Sequence, residues 1–192
     1  MHSQLFDEIA SALREMGYPA LSSQLAEGND VYQLTVSLPQ APPLQIVGFF
    51  LSDLLRLGAG GDDNLEEDEG EGEGNIDFLQ LFIRFPFEFA DAAAPELARL
   101  MMMINWTTPV GTFGINEPQK IIYYRQVLQW QEGVTDPQLV LSTISGMEYY
   151  AAYRYKRIQA FASGEMNMVD FMQDLEATNT LNEEFPGYDL RN

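Results

Sequence analysis

Apolar residues return at helical intervals in the first stretch of the chain. Leu5, Ile9, Leu13 and Met16 are spaced four, four and three apart, which draws one stripe along a helix from about Gln4 to Met16. Ser3 suits its cap, Asp7 and Glu8 favour the positive end of its dipole, and Gly17 before Tyr18-Pro19 stops it. The interval then changes to two. Tyr32, Leu34, Val36 and Leu38 alternate with Gln33, Thr35 and Ser37, as in a half-buried strand over Val31 to Leu38. Pro39 and Pro42-Pro43 turn the chain into a second strand, Leu44 to Leu51, apolar on nearly both faces. Gly58 to Gly74 has no period at all. A third strand follows from about Ile76 to Phe87, with Leu79, Leu81, Ile83, Phe85 and Phe87 facing one way and Phe78, Gln80, Phe82 and Arg84 the other.

Helical spacing resumes after Asp91 and Pro95, a proline fitted to a first turn, with Leu97, Leu100, Met101 and Ile104 as the core stripe. Pro109 to Ile115 and Lys120 to Trp130 read as a hairpin around Asn116-Glu117-Pro118-Gln119. A long helix starts near Asp136-Pro137, runs to about Ala162 and ends at Gly164; a shorter acidic helix, Met168 to Ala177, and a tail complete the sequence. The order is α-β-β-β-α-β-β-α plus an extra C-terminal helix. Strands arrive in hairpin groups, which predicts an α+β fold: a five-stranded antiparallel sheet with helices mainly on one face. The expected organisation is a domain over residues 1–164, with a flexible acidic loop at about 58–75, and a helical extension over 165–192.

Composition narrows the partners. The 192 residues are 46% hydrophobic, enough for a core, and carry 10 basic against 29 acidic residues for a formal charge of −19. Such a balance argues against nucleic acid and against anionic membrane surfaces. With no cysteine and with His2 as the one histidine, the chain lacks the parts of a disulfide framework, a thiolate metal site or a His-activated nucleophile. No secretory signal is read in the first residues and no run of apolar residues long enough to span a bilayer, so a soluble cytoplasmic protein is expected. The sequon Asn105-Trp106-Thr107 is then accidental.

From Leu97 to Trp130 the chain resembles the YbjN family, whose fold is that of type III secretion chaperones. Leu97, Leu100, Ile104 and Asn105 end a helix, Pro109, Gly111 and Phe113 enter a strand, and Ile122-Tyr123-Tyr124-Arg125 returns in the next. The order of elements from about Ser3 to Ala162 also matches. The resemblance implies a small acidic protein of a kind that is often dimeric, without enzymatic activity, with chaperone relatives that hold a partially unfolded client segment. The acidic insertion before the third strand and the helix from Met168 depart from that pattern.

Four constellations are candidates for function. Asp62, Asp63, Glu66, Glu67, Asp68, Glu69, Glu71 and Glu73 form an acidic arm. As a calcium loop it fails at its sixth position, where Glu67 stands in place of glycine, which leaves a solvated self-repelling loop or an arm that steers a basic partner. On the second helix, Arg99, Met102, Met103 and Trp106 fall opposite the core stripe, where a polar face is the norm; methionine-rich surfaces are common at adaptable binding sites. Either a partner or the C-terminal helix folded back would cover them. Phe78 and Phe82 on the third strand, with Phe50 on the second, pose the same alternative between a client groove and a sheet bent enough to bury both sides. Tyr149, Tyr150, Tyr153 and Tyr155 interleave with Arg154, Lys156 and Arg157 on the long helix; the overall charge disfavours a single-stranded nucleic-acid site there, leaving packed tyrosines or a landing place for the acidic arm. Gly58-Ala59-Gly60-Gly61 lacks the Lys-Ser/Thr of a phosphate loop.

The expectation is a non-catalytic protein-binding module without metal or cofactor, chaperone-like, holding an apolar segment of a partner protein, with a homodimer through the second helix as its most concrete form. The alternatives are a regulatory or structural homodimer without a client and a hydrolase built on a carboxylate pair.

Overall fold

The computed structural model describes residues 2–25, 31–41, 43–53, 76–131 and 135–177. The acidic arm Asp62 to Glu73, the calcium-loop reading of it, the glycine run at 58–61 and the tail after Ala177 lie outside them. The elements are α1 (His2–Glu15), β1 (Ala20–Gln24), β2 (Tyr32–Ser37), β3 (Gln45–Phe50), β4 (Ile76–Arg84), α2 (Ala94–Thr107), β5 (Thr112–Asn116), β6 (Ile121–Gln131), α3 (Pro137–Ser163) and α4 (Met168–Ala177), with a 3₁₀ turn at Asp91–Ala93 ahead of α2. The class is α+β, with an open antiparallel sheet in the order β1-β2-β3-β4-β6-β5. That is six strands against the five expected. The extra one is β1, whose sequence Ala-Leu-Ser-Ser-Gln has no apolar alternation and which is a strand because β2 pairs with it. β4 also stops at Arg84, short of the expected Phe87, because Pro86 has no N–H for a ladder. No described helix is long and apolar enough to cross a membrane.

The chain divides into two compact units, Met1–Ile83 with Gln126–Ser145 and Arg84–Arg125 with Gly146–Asn192. In the first, α1 packs on β1 and β2. Its buried side chains are Phe6, Ile9, Ala10 and Leu13, so the stripe sits one position round from the expected one and leaves Met16 exposed. Gly17, at φ 90°, closes α1: its N–H donates to Arg14 O (3.0 Å) and that of Tyr18 to Leu13 O (2.9 Å), a Schellman stop that a Cβ would strain. Leu34, Val36, Ile46, Phe50, Leu79, Leu81 and Ile83 are buried on one face of the sheet. There Phe50 stacks on Phe6 (5.4 Å between centroids) and meets the edge of Trp130 (6.3 Å). Beyond β3, the Asp77 carboxylate accepts from the Ser52 hydroxyl.

In the second unit α2 packs on β5 and α4 on α2. Phe113 of β5 stacks flat on Tyr124 of β6 (4.0 Å, 2°), and Phe85 joins them at 6.3 Å from Phe113. The Tyr124 hydroxyl donates to Val110 O, and burial, reinforced by Tyr150, pushes its pKa well above the ordinary tyrosine range. Gly111 makes this fit possible: at φ 74°, its Cβ would stand 2.6 Å from the Tyr124 ring. α4 begins with a side-chain cap, Asn167 Oδ1 accepting from Val169 N (2.9 Å) and Asp170 N (3.0 Å), and Glu96 of α2 accepts from Met168 N (2.8 Å). Phe171 is fully buried, edge-on to Phe161 (5.7 Å) and under the Arg157 guanidinium (4.8 Å).

Candidate functional site

Among the described residues, two groups of large apolar side chains facing outward stand out, one in each unit. The sharper is on α2. Ala94, Leu97, Leu100, Met101, Met103 and Ile104 are buried, and the turn-by-turn advance of about 100° per residue then drives Arg99, Met102 and Trp106 to the far side. Met102 is 75% exposed and Trp106, one turn on, 73%. Arg99, three residues before Met102, is exposed beside Glu96 (3.7 Å), whose other oxygen is occupied by α4. Met103 departs from the expected outward group: it lies about 60° from Leu100, at the margin of the stripe, and is buried. α4 packs on α2 without covering Met102 or Trp106.

On α3, Tyr149 (62% exposed) and Tyr153 are one turn apart with near-parallel rings, 6.2 Å between centroids, and Tyr150 stands edge-on to Tyr149 at 5.1 Å. Arg154 links this helix to the end of α2. Its buried guanidinium lies over the Tyr153 ring (4.7 Å) and donates to Thr107 Oγ1 (3.0 Å), next to Trp106, where a cation also suits the negative end of the α2 dipole. Thr107 and Thr108 hydroxyls in turn donate to Ile104 O (3.1 and 2.8 Å). Arg154 and Arg157 are therefore engaged in holding α2 and α4, while Lys156 is exposed. Tyr155 packs inward on Phe85 and Phe87.

The second surface is the open face of the first unit's sheet. Direct cross-strand partners share a face, and Phe50 is paired with Leu79, so Phe50 belongs to the core and not with Phe78 and Phe82. Phe49 holds the position expected of Phe50. Along the open face Leu21 is opposite Thr35, Thr35 opposite Val47, and Val47 opposite Phe82. Leu21 is 60% exposed, Phe78 45%, and Phe82 and Val47 are half-buried. Leu21 and Val47 escaped sequence reasoning, Leu21 because β1 itself did; Val47 and Phe49 were hidden in a run apolar on both faces. Among the described residues no cluster of three or more histidine, cysteine, aspartate or glutamate side chains is arranged to hold a metal ion.

The two ends of the sheet differ in their backbone. At β5, the Asn105 carboxamide of α2 donates to Phe113 O (2.9 Å) and accepts from Phe113 N (2.8 Å), so a side chain stands where another strand would pair. That amide is the one in the sequon. At β1, Pro19 O accepts from Ser37 N (2.9 Å) and Leu25 N donates to Val31 O (2.8 Å). The alternation between these two bonds turns the N–H and C=O groups of Ala20 and Ser22 away from β2.

No protein-family model matches the chain, and neither a curated protein nor a solved structure matches it.

Proposed function

We propose that the chain is a non-catalytic protein-binding module of the cytoplasm, chaperone-like in action, which holds an apolar segment of a partner protein against Met102 and Trp106 of α2 and the exposed Tyr149 and Tyr153 of α3. The observation that carries this reading is the exposure of a methionine and a tryptophan one turn apart on a helix whose opposite side is already saturated with core contacts. A flexible thioether adapts to different side chains, and tryptophan and tyrosine dominate the energetics of protein interfaces. The formal charge of −19 keeps such a surface soluble and repels unrelated acidic proteins. The resemblance of Leu97–Trp130 to the YbjN and secretion-chaperone pattern points the same way.

A peptide array of apolar and polar segments, probed with the purified chain, tests the reading. Apolar segments are expected to bind and to be lost together in Met102→Glu and Trp106→Glu, both of which leave the core untouched. Binding that is unchanged in both variants contradicts it. Sedimentation of the unmodified chain separates the occupants: a dimer that Met102→Glu converts to a monomer assigns the surface to a second copy, the homodimer reading.

A further inference from the structure

We propose that the free side of β1 takes up an extended, lysine- or arginine-bearing segment of a partner protein as an added strand of the sheet. β1 is the end strand, and among the described residues no strand lies on its other side. The backbone donors and acceptors of buried Ala20 and half-buried Ser22 point away from β2. Edges in folded proteins are usually blunted by charge, proline, a bulge or a covering group. Within Ala20–Gln24 there is no charged residue and no proline, and the β1–β2 register is unbroken, whereas the β5 end is stopped by Asn105.

Charge decides which strand fits. The first unit holds 17 acidic and 2 basic residues, a formal −15, while the second holds 12 and 8, a formal −4. A second copy carries the same formal charge and is repelled, so like charge disfavours pairing of this edge with itself. A basic segment is attracted by that charge. Its main chain would complete hydrogen bonds with Ala20 and Ser22, and alternate apolar side chains would continue the open-face row from Leu21 to Phe82, the strand-addition mode of peptide recognition.

The test uses the full chain and a short alternating valine–threonine peptide flanked by lysines, with a glutamate-flanked twin. The lysine peptide is expected to slow amide exchange at Ala20 and Ser22 and to bind more weakly as ionic strength rises from about 0.01 to 0.15 M. The glutamate twin is expected to do neither. Ser22→Pro removes an N–H that points away from β2, so the fold tolerates it, and is expected to weaken the lysine peptide about tenfold. Met102→Glu is expected to leave this binding unchanged, which separates it from the α2 surface. Equal binding of the two peptides, or unchanged affinity in Ser22→Pro with thermal stability retained, overturns the proposal. Exchange at Ala20 and Ser22 that slows with protein concentration and no peptide makes the occupant a second copy and overturns it as well.

Discussion

β5 and β1 end the same sheet in opposite ways. At β5, Asn105 occupies the outward N–H and C=O of Phe113, α2 packs against the strand, and the Phe113 ring is buried flat on Tyr124. At β1, the outward backbone of Ala20 and Ser22 meets no described strand, and the one large side chain, Leu21, is mostly exposed. The described residues thus close one end of the sheet and not the other. The β5 edge is closed by the chain itself, whereas among the described residues no strand pairs with the far side of β1.

The contrast is tested most strongly by truncating the large side chain at each edge. Phe113→Ala should cost about 3–5 kcal/mol in urea unfolding, since it empties a filled site against Tyr124 and Phe85, whereas Leu21→Ala should stay within about 0.5 kcal/mol. Comparable losses at both positions would remove the distinction. Asn105→Ala should cost about 2 kcal/mol, because it leaves both Phe113 groups without their partner, and should make the chain associate with rising concentration. Light scattering that stays flat would show that the carboxamide is not what guards this edge.

Tyr124→Phe is a smaller lesion, about 1 kcal/mol at neutral pH from the hydrogen bond to Val110 O. It carries a pH signature. The folded phenol keeps its proton above the range in which unfolded tyrosine, at about 10, loses it, so the unfolded state binds fewer protons there. Stability is therefore whole below about pH 10 and declines as pH rises above it, with Tyr124 contributing up to about 1.4 kcal/mol per unit. The decline should be less steep in Tyr124→Phe. Least of all, Met102→Glu should alter stability by under about 0.5 kcal/mol, since the side chain is largely in solvent. A large loss there would mean that Met102 supports the fold.

What the sequence disclosed follows the strength of its periodicity. The outward positions of Met102 and Trp106 could be read because the stripe Leu97–Ile104 fixes the phase of a helix over two turns. Met103 could not, since a margin residue is decided by its neighbours in space. In β3, Val47, Phe49 and Phe50 are all apolar, so alternation does not choose between faces; pairing of Phe50 with Leu79 does, and a slip of one residue exchanges core for surface. β1 was invisible because Ser22, Ser23 and Gln24 resemble a loop until β2 is alongside. Asn105 was noted in a sequon and at the end of a helix but not as the guard of a sheet edge, because its hydrogen bonds to Phe113 depend on α2 lying against β5.

Trp106 itself reports on the claim that the α2 surface is a docking site. Acrylamide quenching of the chain and of Trp106→Phe isolates its emission from that of buried Trp130 by difference. On addition of the tightest-binding apolar peptide from the array, Trp106 should shift to the blue and lose most of its quenching. Saturating peptide that leaves Trp106 as red and as readily quenched as before would contradict the account.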